Sequence, residues 1–462
     1  MSAVDFAIIG AGPAGMAAAI EAAGLDLSVA VLDEQSEPGG QIYRGIEKLL
    51  ATRPQHAAIL GGDYLRGAEL VKKFRAAAVD YRPGSEVWSA SSGEGVFYRR
   101  EGASGHVRAR QILVATGAME RPFPVPGWTL PGVLTCGAAQ TAFKASGLVP
   151  QGRVIVAGAG PLLLLLVAQL VRAGVRPAAV LETTCNIRAA LKHAFAFTNA
   201  PDYFRKGIAL LRELRHAGVR VERSIDALRI EGNGRVQRVE YERRGKQSRQ
   251  EADVVLLHHG VVPNGNLAWS MRARHVWDDR QRSFRPHVDR WGRSSLQNVL
   301  IAGDSGGIVG AIASEYGGRI AALAAAEACG RIGASERDER ATYLRAEYDK
   351  HVAARPFLDV LYRPARRWLA PHAADTVVCR CEEVTAGSIR EILARHNCPG
   401  PNQLKAFTRC GMGPCQGRMC GLTVIELLAE CRHAPPADIG YYRIRSPIKP
   451  VTLGELAALD VE

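Results

Sequence analysis

The chemistry-bearing residues of this 462-residue chain fall into two patterns, a crowd of cysteines and a pair of glycine-rich turns. The ten cysteines are Cys136, Cys185, Cys329, Cys379, Cys381, Cys398, Cys410, Cys415, Cys420 and Cys431. A disulfide scaffold would spread them along a short secreted chain; crowding in one corner of a long chain points to a metal or cluster site. Cys379-Arg380-Cys381 opens the crowded stretch, and Cys410, Cys415 and Cys420 complete it. Four thiolates are what a [2Fe–2S] cluster requires. Structural zinc prefers the C-x₂₋₄-C spacing, so a C-x-C pair fits it poorly. Gly411, Gly413 and Gly417 would let backbone N–H groups point at cluster sulfurs. Cys398 and Cys431 read as bystanders.

The first glycine-rich turn is Gly10-Ala11-Gly12-Pro13-Ala14-Gly15. Gly10 permits a tight exit from a strand, Gly12 lets a pyrophosphate approach the backbone, and Gly15 lets helix and strand pack closely. The N-terminus of the following helix offers free N–H groups and partial positive charge to phosphates. Asp33, with Glu34 beside it, lies 18 residues after Gly15. A carboxylate there can accept hydrogen bonds from ribose hydroxyls. A second turn, Gly158-Ala159-Gly160-Pro161-Leu162-Leu163, replaces the third glycine by Leu163. Leucine there would crowd the site or push the helix off its strand, which speaks against NAD(P)H binding, although Glu182 could still hold a ribose.

The elements that must position these residues are β-turn-α-β units. Residues 4–9 and 27–32 read as strands around a helix over 16–23, and the pattern restarts with strands over 153–157 and 176–181 around a helix over 162–172. That is the unit of a parallel sheet with crossover helices. Residues 330–375 read as a helical, Arg-rich connector with prolines, and short helices are expected over 389–394 and 403–407. The composition is 47% hydrophobic and 23% charged, suited to a folded chain of about three domains. The net charge of +13 is scattered, with no basic run longer than clusters such as 363–367, so a nucleic-acid partner is not expected. No Lys or Arg precedes the first apolar run, and the apolar stretch over 161–171 is too short to span a bilayer. A cytoplasmic location is expected, with membrane association only through partners. His258-His259 reads as structural or solvated.

Two further strands end in small-residue turns, Ile112-Leu113-Val114-Ala115-Thr116-Gly117 and Val299-Leu300-Ile301-Ala302-Gly303-Asp304. With these, the chain resembles the two-dinucleotide-domain flavoprotein reductases that share the thioredoxin reductase fold. The resemblance implies FAD at the first turn. It puts Gly303 and Asp304 on the ribitol and pyrophosphate, Ala311 and Ile312 under the isoalloxazine, and the Gly39-Gly40-Gln41 loop along the flavin. Thioredoxin reductases carry a CxxC pair where this chain has Cys136 alone, so disulfide reduction is disfavoured. The cysteine module resembles the bacterioferritin-associated ferredoxin-like [2Fe–2S] domain. By that comparison Cys379, Cys381, Cys415 and Cys420 are the ligands, and Cys410 is a rival because the second pair is C-x₄-C.

The stretches 39–44, 126–133 and 413–417 extend the resemblance to nearly the whole chain. It looks like the large subunit of hetero-oligomeric amino-acid dehydrogenases, a group with opine oxidases, hydroxyproline and proline dehydrogenases and hydrogen cyanide synthase. The implied fold class is α/β: two Rossmann-like domains of the thioredoxin reductase type plus a small, mainly α [2Fe–2S] domain. The expected boundaries are 1–148 with 266–335 for FAD, 149–265 for the second nucleotide domain, 336–375 for the connector, 376–445 for the cluster module and 446–462 for a tail. FAD would be held by Gly10, Gly12, Pro13, Ala14, Gly15, Asp33, Glu34, Gly40, Gln41, Arg44, Ala115, Thr116, Gly117, Gly303, Asp304, Ala311 and Ile312. In that group a separate flavoprotein subunit oxidises a C–N bond, a small third subunit can be present, and an FMN can sit at the interface. The chain itself would relay electrons and hold no catalytic residue. Two other readings stay open: a stand-alone NAD(P)H-dependent reductase feeding an external acceptor, and a non-enzymatic nucleotide-binding scaffold with zinc.

Overall fold

The computed structural model describes residues 2–184, 186–195 and 200–459; Cys185 lies outside them. A parallel sheet is built from Asp80–Pro83, Val29–Asp33, Ser2–Ile9 and Ala103–Val114, in that order. The last strand is long enough to fork. Its N-terminal half pairs antiparallel with Gly95–Arg100, and its end pairs parallel with Val299–Ile301. The central strands Val29–Asp33 and Ser2–Ile9 are mostly buried and apolar because both faces are covered, whereas the edge strand Asp80–Pro83 is polar. On one face lies the helix Pro13–Ala23, which begins three residues earlier than periodicity suggested because Pro13 occupies the first helical position. It packs against the alanine-rich helix Ala311–Ala328, whose small side chains let the two axes come close.

A second parallel sheet runs Val221–Arg223, Ala179–Glu182, Val154–Ala159, Val254–His259, Val133–Thr135. The helix Pro161–Arg172 covers it on one face, and a three-stranded meander over Ile225–Glu231, Arg238–Arg243 and Lys246–Glu251 packs into the cluster on the other. Both sheets have the topology of a dinucleotide-binding fold, so the turns after their first strands lie at the carboxyl ends of the strands.

The helix Ala334–Val352 packs back on Ala311–Ala328, with Arg337 and Arg345 flanking the buried Trp291 ring at 4.2 and 3.8 Å. The cysteine module is the hairpin Val377–Cys379 with Val384–Thr385 and three helices, Ala386–Arg395, Pro401–Thr408 and Gly421–Cys431. It shares one apolar core with the first sheet. The chain after it binds the first sheet too: Ile448 N–H donates to Trp88 O at 2.9 Å, and Lys449 pairs with Glu34. No helix among the described residues is long and apolar enough to cross a membrane.

Candidate flavin and cluster site

The first turn is held by contacts that only glycine permits. Gly10 has φ +106°, and a Cβ on it would come 2.5 Å from Ala115 O. A Cβ on Gly15 would lie 1.8 Å from Gly10 O, so the helix can start against the strand only without a side chain there. Asp33 closes the turn: one oxygen accepts from Ala11 N–H and the other from Gln35 N–H at 2.7 Å. Burial raises the Asp33 pKa against the pull of those two amides. Glu34 instead faces the ammonium of Lys449.

The remaining predicted flavin residues gather around the same strand ends. Gly40 packs on Gly12, where an added Cβ would come 2.8 Å from the Gly12 Cα, and Gly39 N–H donates to Ala11 O at 2.9 Å. Gln41 gives its carbonyl to the buried ammonium of Lys144 at 3.0 Å. Arg44 reaches Gln35 through one guanidinium nitrogen and leaves its buried Nε without a partner. Thr116 donates to Asn264 O at 2.9 Å, beside Gly117. Gly303 packs against Ala14, and Asp304 accepts from Val309 and Gly310 N–H at 2.8 and 2.9 Å. That carboxylate thus fixes the loop leading into the helix that begins at Ala311 and Ile312. A half-buried line of glycines, an unpaired guanidinium N–H and a helix N-terminus make a cradle for an anionic ligand.

The second turn is built differently. Gly158, Ala159 and Gly160 are buried, and Leu163, 1% exposed, packs among Val154, Val156, Leu166 and Val167. The leucine therefore fills the helix–sheet seam with apolar packing. Glu182 is paired with Arg223 at 3.0 Å. Both histidines are buried. His258 Nδ1 lies 2.6 Å from Glu120 Oε1, with its ring over Gly160; His259 stacks on Phe123 at 4.3 Å. Cys136 is fully buried, which raises its thiol pKa well above the ordinary value.

In the cysteine module, the sulfurs of Cys379, Cys410 and Cys420 lie within 4.8 Å of one another, all buried. Cys410 and Cys420 donate S–H bonds to Cys379 and hold it toward the thiolate; their own pKa values rise accordingly. Cys381 and Cys415 face each other on the outer side, and Cys381 feels the charge of Cys379. Gly413 is required there, because a Cβ would come 2.3 Å from the Cys381 Cβ. The tight sulfur group thus joins Cys379 and Cys420 of the predicted ligands with the rival Cys410, while Cys381 and Cys415 pair beside it and outside it. Cys398 and Cys431 lie elsewhere on the module, in the lining of a small surface pocket. Thiolate-rich donor sets of this kind suit iron–sulfur clusters.

One link between the two sites was invisible in the sequence. Asn266 Nδ2 donates to Gln416 O at 3.0 Å. Asn266 follows Asn264 by two residues, and Gln416 follows Cys415 directly. A hydrogen bond, two peptide units and a second hydrogen bond therefore join Thr116 to the cluster loop.

The pyridine nucleotide-disulphide oxidoreductase family profile matches residues 4–328, and the BFD-like [2Fe-2S] binding domain matches residues 377–430. The chain is 44% identical to the A subunit of opine oxidase from Rhizobium meliloti, over 98% of this chain and 87% of that one. The chain belongs to the family of opine oxidase A subunits. It is also 34% identical to hydrogen cyanide synthase subunit HcnB of Pseudomonas aeruginosa, over 98% of each chain. Among solved structures, L-proline dehydrogenase from P. horikoshii superposes with a TM-score of 0.71 at 20% identity, covering 98% of this chain and 79% of that one. Thioredoxin reductase from T. acidophilum superposes with a TM-score of 0.52 at 23% identity, over 71% of this chain and 99% of that one. This family member is a flavin-dependent oxidoreductase component with FAD and a [2Fe–2S] cluster as cofactors. The relatives are named as single subunits of larger enzymes.

Proposed function

We propose that the chain is the FAD/[2Fe–2S] subunit of a multi-subunit dehydrogenase that oxidises a C–N bond of an amino acid, imino acid or opine. A second flavoprotein subunit carries the substrate pocket. The observation that carries this reading is the joint from Thr116 through Asn264 and Asn266 to Gln416, which ties the flavin cradle to the cysteine loop within one chain. FAD supplies two-electron exchange and the cluster one-electron exchange, so the pair lets a two-electron oxidation leave as single electrons. The relatives' names, opine oxidase and hydrogen cyanide synthase, and the solved L-proline dehydrogenase support amino-acid-like donors.

The chain's own residues bind and exclude. Gly10 to Gly15 would take the pyrophosphate, with Asp33 or Glu34 on the ribose side. Arg44, Gly40 and Gln41 would run along the flavin, with Ala115, Thr116, Gly117, Gly303, Asp304, Ala311 and Ile312 around it. Cys379, Cys381, Cys415 and Cys420 would hold the cluster. NAD(P)H binding at the second turn is disfavoured, because Leu163 stands where the third glycine would be and Glu182 is paired with Arg223.

Flavin, iron and acid-labile sulfide assays on the purified chain test the assignment. The expected result is one FAD and two iron per chain, with iron lost in Cys415→Ser and retained in Cys410→Ser. Zinc in place of iron, or no flavin, would overturn it.

A further inference from the structure

We infer that Tyr442 is a positioning residue for the cluster: its hydroxyl donates a hydrogen bond to the sulfur of Cys420 and raises the cluster's reduction potential. The inference rests on the cluster reading above. Tyr442 lies beyond the matched iron–sulfur module, which ends at residue 430. Its ring is 1% exposed and wedged into the cysteine loop. A Cβ on Gly411 or on Gly417 would come 2.7 Å from that ring, so two glycines of the loop are set aside for it. The hydroxyl lies 4.0 Å from Cys420 Sγ, and interacts with Cys410 as well.

A sulfur that binds iron has lost its proton and can only accept. The tyrosine O–H must then be the donor. Reduction adds one electron and therefore negative charge to the cluster, which a fixed donor stabilises more in the reduced state. In a buried site this preference is stronger than in water.

The placement is rigid. Tyr441 stacks on Trp269 at 5.2 Å and 16°, which anchors the segment to the helix carrying Asn266. Asn402 Nδ2 donates to Tyr441 O at 3.3 Å and Asn402 Oδ1 accepts from Arg443 N–H at 2.9 Å, so the backbone on both sides of Tyr442 is clamped to the module. The ring itself passes under the Lys405 ammonium at 5.7 Å.

The test is a redox titration of the full-length holoprotein and of Tyr442→Phe and Tyr441→Phe, followed by the visible and electron paramagnetic resonance bands of the cluster. Phenylalanine keeps the ring in its slot and removes only the hydroxyl. For Tyr442→Phe, full iron content is expected, with the reduced-to-oxidised ratio at fixed potential falling about tenfold, a downward shift of about 59 mV for a one-electron couple. Tyr441→Phe, whose hydroxyl donates its hydrogen bond to the backbone carbonyl of Gly417 at 3.4 Å, keeps a potential nearer to wild type than Tyr442→Phe. Equal potentials for wild type and Tyr442→Phe, with unchanged iron–sulfur stretching frequencies, would overturn the role of Tyr442 alone. A wild-type protein without iron and sulfide would overturn the cluster reading and this inference together.

Discussion

Single atoms decide whether the flavin turn can exist. The 1.8 Å between an added Cβ at Gly15 and Gly10 O leaves no room for adjustment, since both partners are backbone. Gly15→Val is expected to weaken FAD retention by about tenfold or more, at least about 1.4 kcal/mol, read as flavin released on dilution. Unchanged retention would show that the turn does not hold the cofactor. Lys144 acts on the neighbouring loop. Its ammonium, 3% exposed, bonds Gln41 O and Gln140 Oε1, each at 3.0 Å. Burial, with the charge of Arg44 adding to it, lowers its pKa from 10.5 to about 7. Between those values the unfolded chain binds a proton that the folded chain has released. Stability from this group therefore rises with pH from about 7 toward 10, with a slope of up to about 1.4 kcal/mol per pH unit. Melting curves of wild type and Lys144→Met across that range should diverge, the wild type gaining on the variant as pH rises; parallel curves would show that Lys144 does not set this dependence. The glycine pattern was legible in the sequence because each glycine answers a local steric demand. Lys144, Asn266 and Tyr442 were not, because their partners are 103, 150 and 22 residues away and no local pattern marks them.

Among the elements, the β-turn-α-β units were readable from periodicity alone. The hairpins were not: Gly95–Arg100 has only three apolar side chains in a row, and the strands of the meander over 225–251 alternate apolar and charged residues or are polar throughout. The seam between the cluster module and the flavin sheet was also hidden, since its apolar core joins residues far apart in the chain and a long-range charged pair lies beside it. Arg282 reaches both oxygens of Glu426 at 2.6 Å, and Glu426 is 2% exposed on the helix Gly421–Cys431. Arg121 lies beside them, fully buried, its guanidinium shared between the carbonyls of Gln281 and Arg282. Burial lowers the Arg121 pKa to about 10, opposed by Glu426. Removing the carboxylate would leave the buried Arg121 without its compensating charge and Arg282 with Asp279 alone, at 3.2 Å. Glu426→Gln is expected to cost about 3–5 kcal/mol and to open the module to proteolysis before the sheets unfold. A variant that melts with the wild type and is cleaved no faster would contradict this.

Across the whole chain, the decisive feature is one chain that carries an FAD fold and a [2Fe–2S] module, with Leu163 packed into the helix–sheet seam of the second nucleotide fold. Its tail closes the arrangement: Lys449 meets Glu34 at the flavin turn, while the segment before it roofs the cysteine loop. Among the described residues, His258 and His259 are engaged in a structural pair and a stack, and the thiolate site belongs to the cluster module. On the function proposed above, electrons enter this chain from another subunit. Anaerobic mixing tests that directly: the purified holoprotein meets D- and L-amino acids, proline, hydroxyproline and opines, alone and together with its flavoprotein partner, while the flavin absorbance is followed. No bleaching is expected of the chain alone, and bleaching of both flavin and cluster bands is expected in the complex. Rapid bleaching of the isolated chain by any of these substrates would show that the chain oxidises substrate itself and would overturn the relay role.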